Sequence, residues 1–259
     1  MSSEALEIHM FPCLADNYGY LLHDHRTGAT AAIDTPDPNT IKSALREKGW
    51  RLTHILNTHH HWDHAGGNLA LKEDTGCKIY GPGREDSKIP GLDYRLDDGD
   101  SLAFGSQQAQ VLHTPGHTLG HIVFFFPEAG AAFVGDTLFS MGCGRLFEGT
   151  AAQMWNSLQR LMALPDSTML YCAHEYTMEN ARFALSLEPH NPHLQTRAEK
   201  VRHLRKEGRP TLPTTLAQEK KTNPFLRTAR KELRSAVNME RASPPAEVFA
   251  EIRRRKDNF

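Results

Sequence analysis

Cysteine is scarce in this chain: there are four, at positions 13, 77, 143 and 172, and none falls into a C-x-x-C spacing. That speaks against a disulfide framework and reads instead as reduced thiols, each a small buried hydrophobe, in a cytoplasmic protein. Long apolar runs are missing too. The longest bulky one is "IVFFF" at 122–126, far short of the ~20 residues that cross a bilayer, so no membrane association is expected. The opening "MSSEALEIHM" has neither a basic region nor an apolar core, so no secretory signal is expected. There is no internal repeat, no low-complexity tract, and no obvious Ser-His-Asp or Cys-His nucleophile motif. Net charge is also nearly absent, at −1.

The near-zero total hides an uneven distribution. Residues 1–174 carry 12 Lys+Arg against 20 Asp+Glu, a balance of −8, and residues 175–259 carry 18 against 11, a balance of +7. Such asymmetry points to two functional regions, the second able to meet an anion or simply presenting solvated basic helix faces. The length of 259 residues suits one large domain or two ordinary ones, with 39% hydrophobic residues to fill a core.

Short apolar segments punctuated by turn residues, "LEIHMF", "YGYLLHD" and "TAAID", read as strands. A helix is predicted over 38–50, opening on a proline, with Ile41, Ala44 and Leu45 on one face and a stop near Gly49. "LTHILNT" returns as a strand and "GNLALKEDTG" as a helix; "SLAFG", "AQVLHT", "HIVFFF" and "AAFVGD" follow as strands. The alternation predicts a layered α/β fold. Met154, Leu158, Leu161 and Met162 form the core stripe of a helix over 151–164. Beyond about residue 175 the strands are expected to stop. Asn191-Pro192 and Ser243-Pro244 read as helix starts, Gly208 as a stop, and "TTLAQEKKTNPFLR" as a turn-rich connection.

The densest chemical signal is "THHHWDHAGG" at 58–67, where four of the fifteen histidines fall between 59 and 64. The run is internal and interrupted, unlike a purification tag. Imidazole nitrogen and carboxylate oxygen are the ligands borderline divalent metals prefer. His59 and His61 are two apart, so in an extended loop both can reach one ion, unlike the helical H-E-x-x-H pattern. Asp63 and His64 can turn to a second position, and Ala65-Gly66-Gly67 let the backbone bend into a helix. Further ligands end other apolar strands: His117 in "HTPGHTLGH", Asp136 in "FVGDTLF" and His174 in "LYCAHEY". Strand ends gathered at one sheet edge would make a polynuclear site. His60, His113 and His121 read as spacers or exposed side chains rather than ligands. Asp34, ending "TAAID", either hydrogen-bonds a ligand from behind or simply forms a turn.

"THHHWDH" resembles the T-H-x-H-x-D-H signature of the metallo-β-lactamase superfamily, and "TPGHT", "GDTLF" and "HEYT" resemble its later ligand motifs in order. "DNYGYLL", "GCGRLFEGT", "AHEYT", "TNPFLR" and "RRRKDNF", spread over 16–259, narrow the resemblance to the glyoxalase II family, the hydroxyacylglutathione hydrolases. The resemblance implies an α/β fold, an αββα sandwich over 1–174 followed by a small helical, glutathione-binding domain over 175–259. It implies one metal on His59, His61 and His117, a second on Asp63, His64 and His174, and Asp136 bridging them. Zinc is the expected metal, with iron or manganese as alternatives. It also places Arg145, Phe147, Tyr176, Arg253 and Lys256 against glutathione. Phe147 stands where eukaryotic members carry tyrosine, so one hydroxyl contact is missing, and Arg145 replaces a lysine found in some members.

The implied activity is hydrolysis of S-(R)-lactoylglutathione to D-lactate and glutathione, the second step of methylglyoxal removal, by a monomer. A hydroxide held by two metals would attack the thioester carbonyl, with Asp63 and Asp136 as catalytic residues orienting it. A lactonase or β-lactamase is the first alternative, opposed by the "TNPFLR…RRRKDNF" tail. A one-iron glutathione persulfide dioxygenase is the second, opposed by His64 and His174. A nuclease or nucleic-acid module is the third, opposed by glutamates interleaved in the basic region and by the lack of stacking aromatics there.

Overall fold

The computed structural model describes residues 6–259. The chain forms two compact units: one runs up to His113 and includes Gly120–Gly135, the other comprises Thr114–Leu119 and Asp136–Phe259.

In the first unit, one sheet runs β1 (Leu6–Cys13), β2 (Asn17–Asp24), β3 (Thr30–Ile33), β4 (His54–Leu56), β5 (Lys78–Pro82) and β6 (Tyr94–Leu96) in spatial order. β1, β2 and β3 pair antiparallel, and β3 through β6 pair parallel. The change follows the sequence: a turn suffices after β1 and β2, whereas helical crossovers follow β3 and β4. The first crossover is α1 (Pro38–Lys48), capped by the Asp37 side chain and ended by Gly49 at φ 69°. The second holds α2 (Trp62–Ala65) and α3 (Asn68–Thr75). Ile41, Ala44, Leu45 and Leu71 of these helices share one core with Leu21, Ala32, Ile55 and Ile79 of the sheet.

A second, antiparallel set holds β7 (Ser101–Phe104), β8 (Gln107–His113), β9 (Ile122–Phe126) and β10 (Ala131–Gly135). "IVFFF" and "AAFVG" are buried throughout rather than alternating. The two sets of strands meet where Tyr20 lies 5.6 Å from Phe133 and His54 lies 5.3 Å from Phe104, ring centre to ring centre.

The second unit contains the hairpin β11 (Leu138–Phe139) and β12 (Gly142–Cys143), then α4 (Ala151–Met162), β13 (Met169–Cys172), α5 (Thr177–Leu187) and α6 (Pro192–Lys206). It continues with β14 (Thr214–Thr215), α7 (Leu216–Thr222), α8 (Lys231–Ala236) and α9 (Pro245–Asp257). α5 and α6 share a core of Ala181, Ala184, Leu194, Ala198 and Val201. Phe249 of α9 packs its ring against Trp155 and Phe225.

The α/β class and the helical C-terminal region follow the sequence expectation. Three local readings change. The stretch after residue 175 does contain a strand, the two residues of β14, which pair with β13. The stretch read as turn-rich contains α7, whose buried positions Leu216, Glu219 and Thr222 are mostly polar. A polar inner face gives no apolar period to detect. At α9 the start is displaced by one: Pro244 is the cap, Pro245 the first helical residue, and Ser243 makes no cap.

α4 carries a complete capping box, in which the Thr150 hydroxyl accepts from the Gln153 N–H and the Gln153 side chain accepts from the Thr150 N–H. Thr150→Ala is expected to cost about 1 kcal/mol and to lower the melting temperature by about 2–4 °C, as read by calorimetry.

Candidate functional site

β3 and β4 lie side by side and parallel, so their C-terminal ends deliver Asp34 and Asn57–His59 together. Asp34 is a non-glycine residue with φ 58°, and that left-handed turn aims its carboxylate back into the first unit. One oxygen accepts from the Thr58 N–H at 2.7 Å; the other accepts from the Thr58 hydroxyl and from Nδ1 of His64, both at 2.8 Å. A carboxylate can only accept here, so Nδ1 of His64 carries its proton and Nε2 presents a lone pair. The Thr58 hydroxyl, donating to Asp34, accepts from Nδ1 of His59 at 3.0 Å, which makes Nε2 the ring nitrogen of His59 that could bind a metal.

The loop then folds as its spacing requires. Nε2 of His59 and Nδ1 of His61 lie 3.0 Å apart. His61 caps α2, whose first turn carries Asp63 and His64, with Nε2 of His64 at 3.5 Å from Oδ2 of Asp63. The amide of Asn17 donates to Oδ2 of Asp63 at 3.1 Å and so orients that carboxylate. His60 is tied to Glu85, which takes its N–H at 2.8 Å and faces its Nδ1 at 2.9 Å, while the other Glu85 oxygen accepts from the Gly120 N–H. His121 is fully buried and stacks on His59 at 4.9 Å. Both therefore support the ligand loop, as does Asp34.

The second unit holds the other donors. One carboxylate stands between two imidazoles: Oδ2 of Asp136 is 3.3 Å from Nε2 of His117, and Oδ1 is 3.4 Å from Nε2 of His174. Nδ1 of His117 donates to the Arg145 carbonyl at 2.9 Å, which again directs the lone pair to Nε2. His174 is stacked on Tyr176, with centroids 4.7 Å apart and planes 1° from parallel. A Cβ on Gly144 would collide with the Asp136 carbonyl, so this approach requires glycine.

His117 and Asp136 also line a cleft of about 500 Å³, and so do Arg145, Phe147, Tyr176, Arg253 and Lys256, the five residues read from the sequence as substrate contacts. Phe147 is 63% exposed and meets the His117 ring at 5.1 Å. Arg253 is only 5% exposed, and much of its guanidinium is already engaged, donating to the Cys143 carbonyl at 2.9 Å and to Asp257 at 3.0 and 2.7 Å. Lys256 lies over the rings of Phe183 and Phe259 at 5.5 and 5.4 Å. Burial, then the neighbouring Arg253, pushes its ammonium pKa below the ordinary lysine range, with Glu179 opposing and Arg145 adding to the shift. Burial pushes the Cys143 thiol up to about 11 despite the adjacent Arg253.

Sequence reading missed Glu85, Asn17 and the Asn57–Asn68 pair behind the ligand loop. Their partners are distant in sequence, and no motif spacing records them. It also missed Phe139, Glu179, Asn180 and Phe259 as cleft residues.

The donor set, neutral imidazole nitrogens with carboxylate oxygens, fits a divalent metal such as zinc, iron or manganese. Asp136→Ala is expected to weaken zinc uptake by the metal-free protein by well over about ten-fold, and Asp34→Asn by about ten-fold. His60→Ala should leave zinc uptake nearly unchanged; a competition titration with a chromophoric chelator reads all three.

Comparison with known proteins finds two family models that match successive parts of the chain. A family model described as the metallo-beta-lactamase superfamily matches residues 27–174, and one described as the hydroxyacylglutathione hydrolase C-terminus matches 175–259. The hydroxyacylglutathione hydrolase of Maricaulis maris (strain MCS10) is 54% identical over 254 residues, covering 98% of this chain and 99% of the relative. Among solved structures, ETHE1 from Myxococcus xanthus is similar with a TM-score of 0.66 and 27% identity, covering 95% of this chain and 99% of that one. TTHA1623, solved in a di-iron-bound form, is similar with a TM-score of 0.61 and 27% identity, covering 85% and 100%. With its ligand motifs in order and a near full-length relative at this identity, the chain belongs to the hydroxyacylglutathione hydrolases of the metallo-β-lactamase superfamily.

Proposed function

We propose that this enzyme hydrolyses S-(R)-lactoylglutathione and related 2-hydroxyacylglutathiones to the hydroxy acid and glutathione. The observation that carries this reading is the Asp136 carboxylate, with one oxygen facing His117 and the other His174, in a cleft that also presents Arg145 and Lys256. A carboxylate shared in that way suits a bridge between two ions. The proposed binuclear centre assigns His59, His61 and His117 to one zinc, Asp63, His64 and His174 to the other, and Asp136 to both. When bound, such a pair supplies Lewis acidity and lowers the pKa of water toward about 7.

The chain's own residues supply binding and orientation. Glutathione carries two carboxylates, and Arg145 and Lys256 offer cations for them. Tyr176, flat against His174, and Phe147, against His117, give the peptide apolar faces beside the ligands. Arg253 serves the same end by fixing the Cys143 carbonyl and the last turn of α9. Asp63 and Asp136 orient the attacking water. The leaving thiolate, with an ordinary pKa of about 8.5, departs without a protein acid.

The catalytic and glutathione-binding domains divide between residues 174 and 175 in this reading, supported by where the two family matches meet. A reducing compartment such as the cytoplasm is part of this reading, in keeping with four buried cysteines that show no C-x-x-C spacing. Among the described residues no helix is long and apolar enough to cross a membrane.

Elemental analysis of the active protein should return two zinc equivalents per chain, alongside release of thiol from lactoylglutathione. One equivalent at full activity would overturn the binuclear assignment.

Lys256→Met should raise KM for glutathione thioesters about ten-fold and leave a small thioester lacking the peptide unaffected. Because the Lys256 pKa is lowered, its charge is lost at a lower pH than for an ordinary lysine. KM should therefore be flat near neutrality and rise on the alkaline side earlier than about pH 10.4, a limb absent from the methionine variant.

A further inference from the structure

The hairpin that follows Asp136 is gripped from outside by one buried carboxylate. β11 and β12 are joined through Ser140 and Met141, and Met141 sits at φ 55°, an uncommon backbone state for a side chain of its size. Glu219 of α7 is fully buried beneath this turn. One of its oxygens accepts from the Met141 N–H at 2.7 Å and from the Asn223 amide at 3.1 Å. The other accepts from the hydroxyls of Thr214 at 2.9 Å and Ser140 at 3.2 Å. The same Asn223 amide donates to the carbonyls of Phe139 at 3.1 Å and Gly142 at 2.9 Å, and the Asn180 amide donates to that of Ser140 at 3.1 Å. Burial raises the Glu219 pKa while these hydrogen bonds oppose the rise.

The hairpin has a residue of the site at each end. Asp136 precedes it by two positions, Arg145 follows by two, and the Arg145 carbonyl is the acceptor that orients His117. A Cβ on Gly142 would strike the Asn180 amide, and one on Gly144 the Asp136 carbonyl, so the hairpin has no slack on these sides. From this geometry we infer that Glu219 is a positioning residue for the reaction: through the Ser140–Met141 turn it sets the spacing between the Asp136 carboxylate and the Arg145 segment. The inference rests on the metal-dependent reading above and adds to it a residue that touches neither metal nor substrate.

Three variants test it. In Glu219→Gln the amide oxygen can face the Met141 and Asn223 donors, while its NH₂ donates to the two hydroxyls, which also accept. Its zinc affinity and KM should stay within about two-fold of the parent. Glu219→Ala removes the grip, and Glu219→Asp falls one methylene short of it. Each should weaken zinc binding by the metal-free protein about ten-fold and raise KM for lactoylglutathione, with far-UV circular dichroism retained. The aspartate variant decides the matter should the alanine one not fold.

The inference is overturned if a folded alanine or aspartate variant loses only melting temperature while zinc affinity and KM stay within about two-fold. It is also overturned if the glutamine variant loses as much as the alanine one, or if neither shortened variant folds. Zinc affinities of the variants are compared with the parent's own, so this outcome is independent of whether the parent hydrolyses lactoylglutathione, which tests the underlying reading.

Discussion

An imidazole can offer a lone pair to a metal only where its other nitrogen keeps the proton, and the architecture around these histidines serves that constraint. His64 meets it through the Asp34 carboxylate, His59 through the Thr58 hydroxyl, and His117 through the Arg145 carbonyl. Each acceptor comes from a different kind of element. Asp34 needs the left-handed turn that ends β3, Thr58 the loop that follows β4, and Arg145 the loop beyond a glycine-bounded hairpin. The candidate donors are few, and the groups that fix their tautomers come from separate parts of the chain.

The same logic explains why buried polar side chains are frequent in both units. Asn57, Asn68 and Thr35 form one hydrogen-bonded set behind α2. Glu219, Asn223, Thr214 and Asn180 form another around the β11–β12 hairpin. Burying such groups is tolerable only when their donors and acceptors are met, and a satisfied network specifies one arrangement of the backbone it holds. Loops that carry ligands would otherwise be among the least constrained parts of the fold.

The candidate metal-binding residues were picked out in the sequence because "THHHWDH" concentrates four of them and because Asp136 and His174 closely follow apolar strands. Strands β1 to β4 and β7 to β10 were legible from their apolar runs, whereas β5 and β6, short and interrupted by Gly81, Pro82 and Arg95, were not. α7 was not, since its buried face is made of Glu219 and Thr222 as well as Leu216, and polarity is read as exposure. Arg253 shows a converse case. A basic tail gives no sign of burial, yet this residue is 5% exposed, lines the cleft and donates to the Cys143 carbonyl. Glu85 and Asn17 were invisible for a third reason: their partners lie 25 and 46 residues away along the chain, where only the folded topology brings them together.

Cys143 lines the cleft proposed to receive and release glutathione, so a sulfur nucleophile stands where thiols and disulfides of that tripeptide would be concentrated. Exchange with a disulfide requires thiolate. Burial pushes the thiol up to about 11, which keeps it in the protonated form near neutral pH. A buried thiol held largely in its protonated form beneath Arg253 is a poor partner for exchange with the disulfide of the tripeptide that this cleft is proposed to bind.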